Sequence, residues 1–155
     1  MPQVTLRPIT GDDLALLAQI YASTRAEELA QTDWTDEQKA AFLRQQFDAQ
    51  HQYYQANYPR AQFQMVEEAG APIGRLYVDR WEDQIRIMDV ALLPAYRGRG
   101  VGTQLLEQIL AEGRQLQLPV TIHVERFNPA LRLYERLGFR VEEDKGVYLF
   151  LKWTP

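Results

Sequence analysis

The chain contains no cysteine among its 155 residues. That excludes disulfides, thiolate metal sites and any reaction that parks an acyl group on a cysteine sulfur. Also missing is any apolar run near the roughly 20 residues that a membrane-spanning helix needs. The opening segment "MPQVTLRPIT" has neither the charged nor the apolar region of a secretory leader. A cytoplasmic protein without membrane contact is the expectation. Internal repeats, low-complexity tracts and linkers are absent too, so a single domain over residues 1–155 is expected, a size at which one core forms. Positive charge is in short supply, with 17 Lys and Arg against 21 Asp and Glu, a net charge of -4 and a pI near 5.2. This balance argues against nucleic acid as the main partner, although a local basic loop can still hold one small phosphate ligand.

What is present reads as alternating blocks. "QVTLRPI" alternates like an edge strand, and Thr10 with Asp13 forms a capping box before a helix over "DDLALLAQIYASTRAEEL". Thr35 with Gln38 opens a second helix, "DEQKAAFLRQQFDAQHQYYQAN", uninterrupted by Gly or Pro until Pro59. The strands "QFQMVEE", "PIGRLYVDRW" and "IRIMDVALL" follow, separated by turn signals short enough for antiparallel hairpins. A third helix carries Val101, Leu105, Leu106, Ile109 and Leu110 at helical spacing. After the β-rich "LPVTIHVERF", Asn128 and Pro129 supply the cap and first turn of a short helix, "ALRLYERL", which Gly138 ends. "FRVEED" and "GVYLFLKW" close the chain as a hairpin about Lys145 and Gly146. The fold class is α/β in the α+β sense: a mixed, mostly antiparallel sheet of about six or seven strands with about four helices, in the order β-α-α-β-β-β-α-β-α-β-β. The apolar last strand reads either as internal or as one that joins a partner's sheet, so monomer and homodimer both stay open.

Between "IRIMDVALL" and the third helix stands "RGRGVG", Arg97 to Gly102. Gly98, Gly100 and Gly102 leave backbone N–H groups bare at a helix start, where the helix dipole adds positive potential. Arg97 and Arg99 can add charge-assisted hydrogen bonds. Phosphate is the ligand such a loop suits. A plain strand-to-helix turn needs one glycine, not three with two arginines between them. No Gly-Lys-Ser/Thr ending follows, as a nucleotide P-loop requires, and the glycine spacing departs from the dinucleotide-binding fingerprint.

"LLPAYRGRGVGTQLL" resembles the acyl-CoA binding motif of the GNAT superfamily of N-acyltransferases, whose pattern Gln/Arg-x-x-Gly-x-Gly/Ala is met by Arg97, Gly100 and Gly102. "HVERFNPALRLYERLGF" resembles that family's second motif, with Asn128, Tyr134 and the "LGF" ending in place. Together with the order of elements, the resemblance runs essentially end to end. It implies acetyl-CoA as acyl donor, with no metal. It places the diphosphate on the backbone of Arg97, Gly98, Arg99, Gly100, Val101, Gly102 and Thr103, with Asn128 and Tyr134 also near the cofactor. It further implies that the pantetheine arm pairs like an extra strand near Ala91 and Leu92, where the fourth and fifth strands splay apart. Such pairing is physically sensible, because pantetheine amides leaving water need hydrogen-bond partners and an open strand edge supplies them.

Acyl transfer from a thioester to an amine needs a neutral nucleophile, a polarised carbonyl, a proton donor for the leaving thiolate, and placement. Without cysteine, direct attack by the bound amine is expected. Tyr134 stands where the resemblance puts the acid; its other reading is a core aromatic spaced with Leu131 and Leu137. Some relatives carry a glutamate base on the fourth strand, and that position here counts back to about Arg86, so the base is sought elsewhere. Asp89 is either catalytic or paired with Arg75, Arg80 or Arg86. Glu125 and His123 share one side of the fifth strand and are further candidates to take the proton. Asp79, Glu82 and Asp83 read as a solvated turn. Trp34, Phe47, His51, Tyr53, Tyr54 and Tyr58 read as the wall of a pocket for a hydrophobic or cationic amine, or as helix packing. The acceptor is a small-molecule or peptide amine and acetyl the expected acyl group, with longer or acidic acyl groups left open. Two other functions compete. One is a non-catalytic acyl-CoA binding or sensing domain, opposed by Tyr134 and left open by the missing glutamate. The other is nucleic-acid binding through Arg97 and Arg99, opposed by the acidic total.

Overall fold

In the computed structural model, which describes residues 3–155, the chain opens with strand β1 (Val4–Pro8), as its alternation predicts. Met1 and Pro2, on which the reading of the N-terminus partly rests, lie outside the described residues. The Asp13 carboxylate accepts a hydrogen bond from the Thr10 N–H at 2.7 Å and another from Arg7 of β1 at 2.9 Å, fixing the entry to helix α1 (Leu14–Ala30). At the start of α2 (Asp36–Asn57), the Gln38 N–H donates to Thr35 Oγ1 at 3.1 Å and the Thr35 N–H to Gln38 Oε1 at 2.9 Å, a closed capping box.

Strands β2 (Gln62–Glu68), β3 (Ala71–Arg80) and β4 (Ile85–Leu92) form the expected meander, followed by α3 (Val101–Leu116), β5 (Val120–Glu125), α4 (Leu131–Arg136), β6 (Arg140–Asp144) and β7 (Tyr148–Trp153). All seven strands make one sheet in the order β1-β2-β3-β4-β5-β7-β6, with β4–β5 the one parallel pair among the described residues. The closing hairpin therefore folds back so that β7, not β6, lies beside β5. Both edges of β7 are paired within the chain, and the free edge at this end of the sheet belongs to β6. No described helix is long and apolar enough to cross a membrane.

Each face of the sheet is covered by a different helix pair. Leu105, Leu106, Ile109 and Leu110 of α3 pack with Leu76, Val78, Ile87 and Ile122 on one side. On the other, Leu17 and Ile20 of α1 and Phe47 of α2 pack over Met65 and Ala91. Burial of each such side chain contributes about 1.5–3 kcal/mol.

The feature that shapes the site is a bulge in β4. Val78 pairs with Ile87 while Tyr77 pairs with Asp89, which leaves Met88 as an extra residue. Regular alternation from Ile85 and Ile87 would aim Asp89 into the α3 core. The extra residue instead turns Ala91 toward the α1–α2 layer and Val90 and Leu92 toward α3, and Asp89 follows Ala91 by two-residue spacing. The β4–β5 ladder covers only Ile85 to Ile87 and ends at the Ile87–Ile122 rung, where the bulge begins. Beyond that rung the two strands part and leave a gap.

Gly74 keeps β3 close to the far end of this gap. A Cβ there would overlap the Ala91 carbonyl oxygen and lie 2.7 Å from Leu92 Cδ2. Overpacking of this kind costs about 1–3 kcal/mol, so Gly74→Ala is expected to lower the thermal unfolding midpoint by several degrees. A midpoint equal to the parent's in thermal denaturation would mean that the strand pair relaxes freely at this point.

Candidate active site

The gap between β4 and β5 is lined by main chain on the β4 side. The Leu93 N–H donates to the Ile73 carbonyl at 2.8 Å, and the Ala91 carbonyl faces Gly74. By the alternation of an antiparallel pair, Ala91 spends its backbone groups on β3, whereas Val90 and Leu92 turn theirs to the gap. Of the two residues expected there, Leu92 presents its main chain and Ala91 does not, while Val90, not named from sequence, does. Strand register decides this, and composition carries no register.

After Leu92 the chain makes a short turn and reaches the glycine loop. Gly98 and Gly100 have φ of 72° and 86°, the left-handed region that favours glycine. Gly100 precedes α3 without any side-chain cap, so the first-turn N–H groups of Val101, Gly102 and Thr103 keep the orphan donors of a helix start. A Cβ at Gly98, Gly100 or Gly102 would meet no atom within 4 Å, so the glycine faces of the loop are open. Bare donors, a helix dipole and an open approach fit a diphosphate.

The two arginines of the loop are otherwise engaged. Arg97 Nε donates to the Leu92 carbonyl at 3.0 Å and its Nη2 to Ser23 Oγ at 3.3 Å. Arg99 makes a two-point pair with Glu68 of β2, at 2.9 and 3.1 Å, over the ring of Tyr96. In this arrangement the guanidiniums brace the loop, and the groups left for a phosphate are main-chain ones.

On the α3 side of the sheet stands Tyr134 of α4, 4% exposed, its ring edge-on to Phe139 with centroids 5.7 Å apart. It shares the core cluster with Leu131 and Leu137, so the packing role read from its spacing is also present. Burial first, and then the charge of Asp89, push its phenol up to about 12. The phenol therefore keeps its proton through neutral pH. Asn128 Oδ1 accepts from the Ala130 N–H at 2.8 Å, capping the turn that carries α4 and Tyr134.

Asp89 finds its partner in Arg75. Arg75 Nη2 donates to Asp89 Oδ2 and, at 3.1 Å, to Gln50 Oε1 of α2. The arginine side chain is 2% exposed and the aspartate 19%. Arg80 and Arg86, the other partners considered, bond to Glu112 and to Thr121 Oγ1 instead. The Arg75 guanidinium lies 5.0 Å from the Tyr77 ring centroid, and Tyr54 of α2 meets Tyr77 edge-on at 5.9 Å. Burial, then the Asp89 carboxylate, raises the Tyr54 phenol above its ordinary value. The Tyr77 hydroxyl is buried without a hydrogen-bond partner.

Other candidates scatter. Glu125 is exposed at the end of β5 and forms no ion pair among the described residues. His123, two residues earlier, faces the same way and lies on Phe150 of β7 with centroids 4.7 Å apart. Asp79 departs from the solvated-turn reading: it is 5% exposed and lines a cleft of about 470 Å³ with Tyr58, Arg60 and Trp81, while Glu82 and Asp83 are exposed as expected. The aromatic stripe of α2 divides as well. Phe47 is core, His51 stacks on it at 5.7 Å, Tyr54 faces the sheet, and Tyr53 is exposed. Trp34 packs edge-on against Phe42 at 5.1 Å. The residues that sequence reading missed were Met88, whose extra place opens the gap, and Gln50, which ties α2 to the ion pair.

The model of the Acetyltransferase (GNAT) family matches residues 24–139. Among solved structures, the PaiA N-acetyltransferase of Thermoplasma acidophilum, in complex with coenzyme A, superposes with a TM-score of 0.74 at 17% identity, covering 99% of both chains. An acetyltransferase of Thermus thermophilus gives 0.71 at 21% identity over 100% of both. A GNAT family acetyltransferase of Elizabethkingia anophelis with acetyl-CoA bound gives 0.60 at 17%, covering 98% of both. No curated protein sequence matches the chain. The family match runs from within α1 to the end of the Tyr134 segment and takes in the glycine loop and the strand gap, so the chain belongs to the GNAT family of acetyltransferases.

Proposed function

We propose that the protein is a single-domain N-acetyltransferase that moves the acetyl group of acetyl-CoA directly onto a primary amine. Three features together carry this reading: uncapped N–H groups at the start of α3, the β4 edge at Val90 and Leu92 beyond the last β4–β5 rung, where the Leu92 carbonyl is held by Arg97, and the buried phenol of Tyr134 on the α3 side. The N–H groups from Gly98 to Thr103 hold the diphosphate, and the β4 edge pairs with the pantetheine amides. Asn128 acts through the turn it caps, setting the position of Tyr134.

Acetyl-CoA supplies an activated acyl carbon. The amine nitrogen bonds to that carbon, the carbon–sulfur bond breaks, and Tyr134 gives its proton to the sulfur. An amine that arrives as ammonium loses one proton before attack and a second as the amide forms. Asp89 Oδ1, the oxygen that Arg75 leaves without a partner, accepts the first and releases it to solvent, with Glu125, exposed at the end of β5, the alternative acceptor. The second replaces the proton of Tyr134, so one proton is released overall. With no cysteine, the direct route avoids an acyl-enzyme on sulfur.

Gly102→Val tests the cradle. Its Cβ branch enters open space over the first turn and is not disfavoured by φ, so folding is expected to be unaffected. The same branch blocks the bare N–H groups, and acetyl-CoA affinity by calorimetry is expected to fall at least about tenfold. Unchanged affinity overturns the placement. Thiol release from acetyl-CoA over an amine panel tests the chemistry, and binding without release on any amine would leave a non-catalytic acyl-CoA binder.

A further inference from the structure

Two cationic side chains and an imidazole converge on one ring beside the gap. The Arg86 guanidinium lies 5.3 Å from the Phe150 centroid, Lys145 Nζ 5.5 Å, and the His123 ring 4.7 Å. Lys145 Nζ is also 3.1 Å from His123 Nε2. Groups of one sign gathered this closely repel, and a half-buried guanidinium without a carboxylate is costly unless something answers it. Arg86 has no ion-pair partner among the described residues. It donates to Thr121 Oγ1 at 2.8 Å and to Gln84 Oε1 at 3.3 Å, and it stacks on Trp81 at 4.8 Å.

The nearby acids do not balance the cluster. Asp79 stands opposite Arg86 in the β3–β4 register, yet the guanidinium turns away from it toward β5 and β7. Asp83 acts on Arg86 only through space. Glu143 reaches Lys145 at 3.5 Å on the exposed hairpin. Glu125 shares the His123 side of β5 but sits at the far end of the strand. Burial, then Arg86 and Lys145, lowers the proton affinity of His123, so the imidazole is neutral near pH 7 and offers a hydrogen bond in place of a charge.

Position gives the cluster its meaning. His123 is the first β5 residue beyond the last β4–β5 rung, and Arg86 and Ile87 form the final rungs of β4. A molecule lying on Phe150 therefore has one end among these cations and the other at the opening of the gap. We propose that the acceptor amine carries an anionic group, a carboxylate being the simplest, that docks between Arg86, His123 and Lys145 on Phe150 while its nitrogen faces the gap. The claim rests on the acetyl-transfer reading above. It departs from the hydrophobic or cationic amine that the aromatic stripe suggested: the local field at the acceptor end is positive.

The test pairs α- and ω-amino acids with their own amides, so that only the anion differs. Thiol release from acetyl-CoA is expected to give kcat/KM at least about tenfold higher for the best acid than for its amide, the scale of hydrogen bonds to a charged group. Arg86→Gln is expected to bring the two within about twofold of each other and to leave acetyl-CoA affinity unchanged. Lys145→Gln, on an exposed hairpin and harmless to folding, is expected to erode the preference two- to fivefold. Equal rates for acids and amides with the parent enzyme would overturn the inference and leave acetyl transfer standing. If no amine reacts, binding is read from the fluorescence of Trp81, on which Arg86 stacks. Saturable quenching by the acids, missing with the amides and in Arg86→Gln, supports the anion site apart from turnover, and its absence overturns it.

Discussion

Tyr134→Phe is expected to lower kcat for acetyl transfer about a hundredfold, within the range assigned to a positioned general acid, while the acetyl-CoA dissociation constant stays within about twofold. The leaving thiolate is the group that gains most from a proton as the carbon–sulfur bond breaks. Tyr134 suits that duty because burial and the charge of Asp89 hold its phenol up at about 12, protonated wherever the enzyme is assayed. Loss of the hydroxyl leaves the ring against Phe139 and in the α3-side core, so the variant keeps its fold and its cradle. A fall in kcat with the affinity unchanged marks an interaction made in the transition state and not in the ground state. The parent's kcat should also show no alkaline decline from this group below about pH 11, one unit beneath its shifted value. Steady-state thiol release beside calorimetry checks both points. A kcat within threefold of the parent's would strip Tyr134 of the acid role and leave it a packing residue.

Local chemistry made much of this visible in the sequence. Thr35 with Gln38 and Thr10 with Asp13 marked helix starts because capping is decided within four residues, and the glycines of the loop were legible because left-handed φ selects that residue. What could not be read depends on partners distant in sequence. The extra residue at Met88 exists only as a register shift against Tyr77 and Val78, and without it Asp89 would point to the other face. Arg75, Arg80 and Arg86 were equivalent as letters, and only the packing of α2, through Gln50, singled out Arg75. Arg97 and Arg99 looked like phosphate ligands from their place in the loop, while Ser23 and Glu68, 74 and 31 residues away, claim them in the fold. Likewise β6 and β7 were plain as a hairpin, but their order beside β5 depends on a long-range pairing, with Trp153 closing against Gly113 and Gly138.

Asp89→Ala is expected to destabilise the protein by about 3–5 kcal/mol, the usual cost of leaving one member of a buried pair alone. Arg75 cannot escape the loss. It is 2% exposed, its Nε already lacks a partner, and Gln50 offers only a neutral acceptor. For a chain of this size the unfolding midpoint should fall by about 10 °C. On the proposed route Asp89 also receives the amine's proton, so lost activity in this variant would mix scaffold with chemistry. Arg75→Met with Asp89→Leu separates them. Removing both charges replaces the pair with apolar groups, which is often neutral or stabilising, and the double variant is expected to unfold within about 3 °C of the parent. If Asp89 accepts the proton, the folded double variant still binds acetyl-CoA but turns over at least about tenfold more slowly near neutral pH, recovering as rising pH deprotonates the amine in solution. A double variant as active as the parent would make Asp89 the counter-ion of Arg75 and nothing more, and would move the proton's route to Glu125 and water.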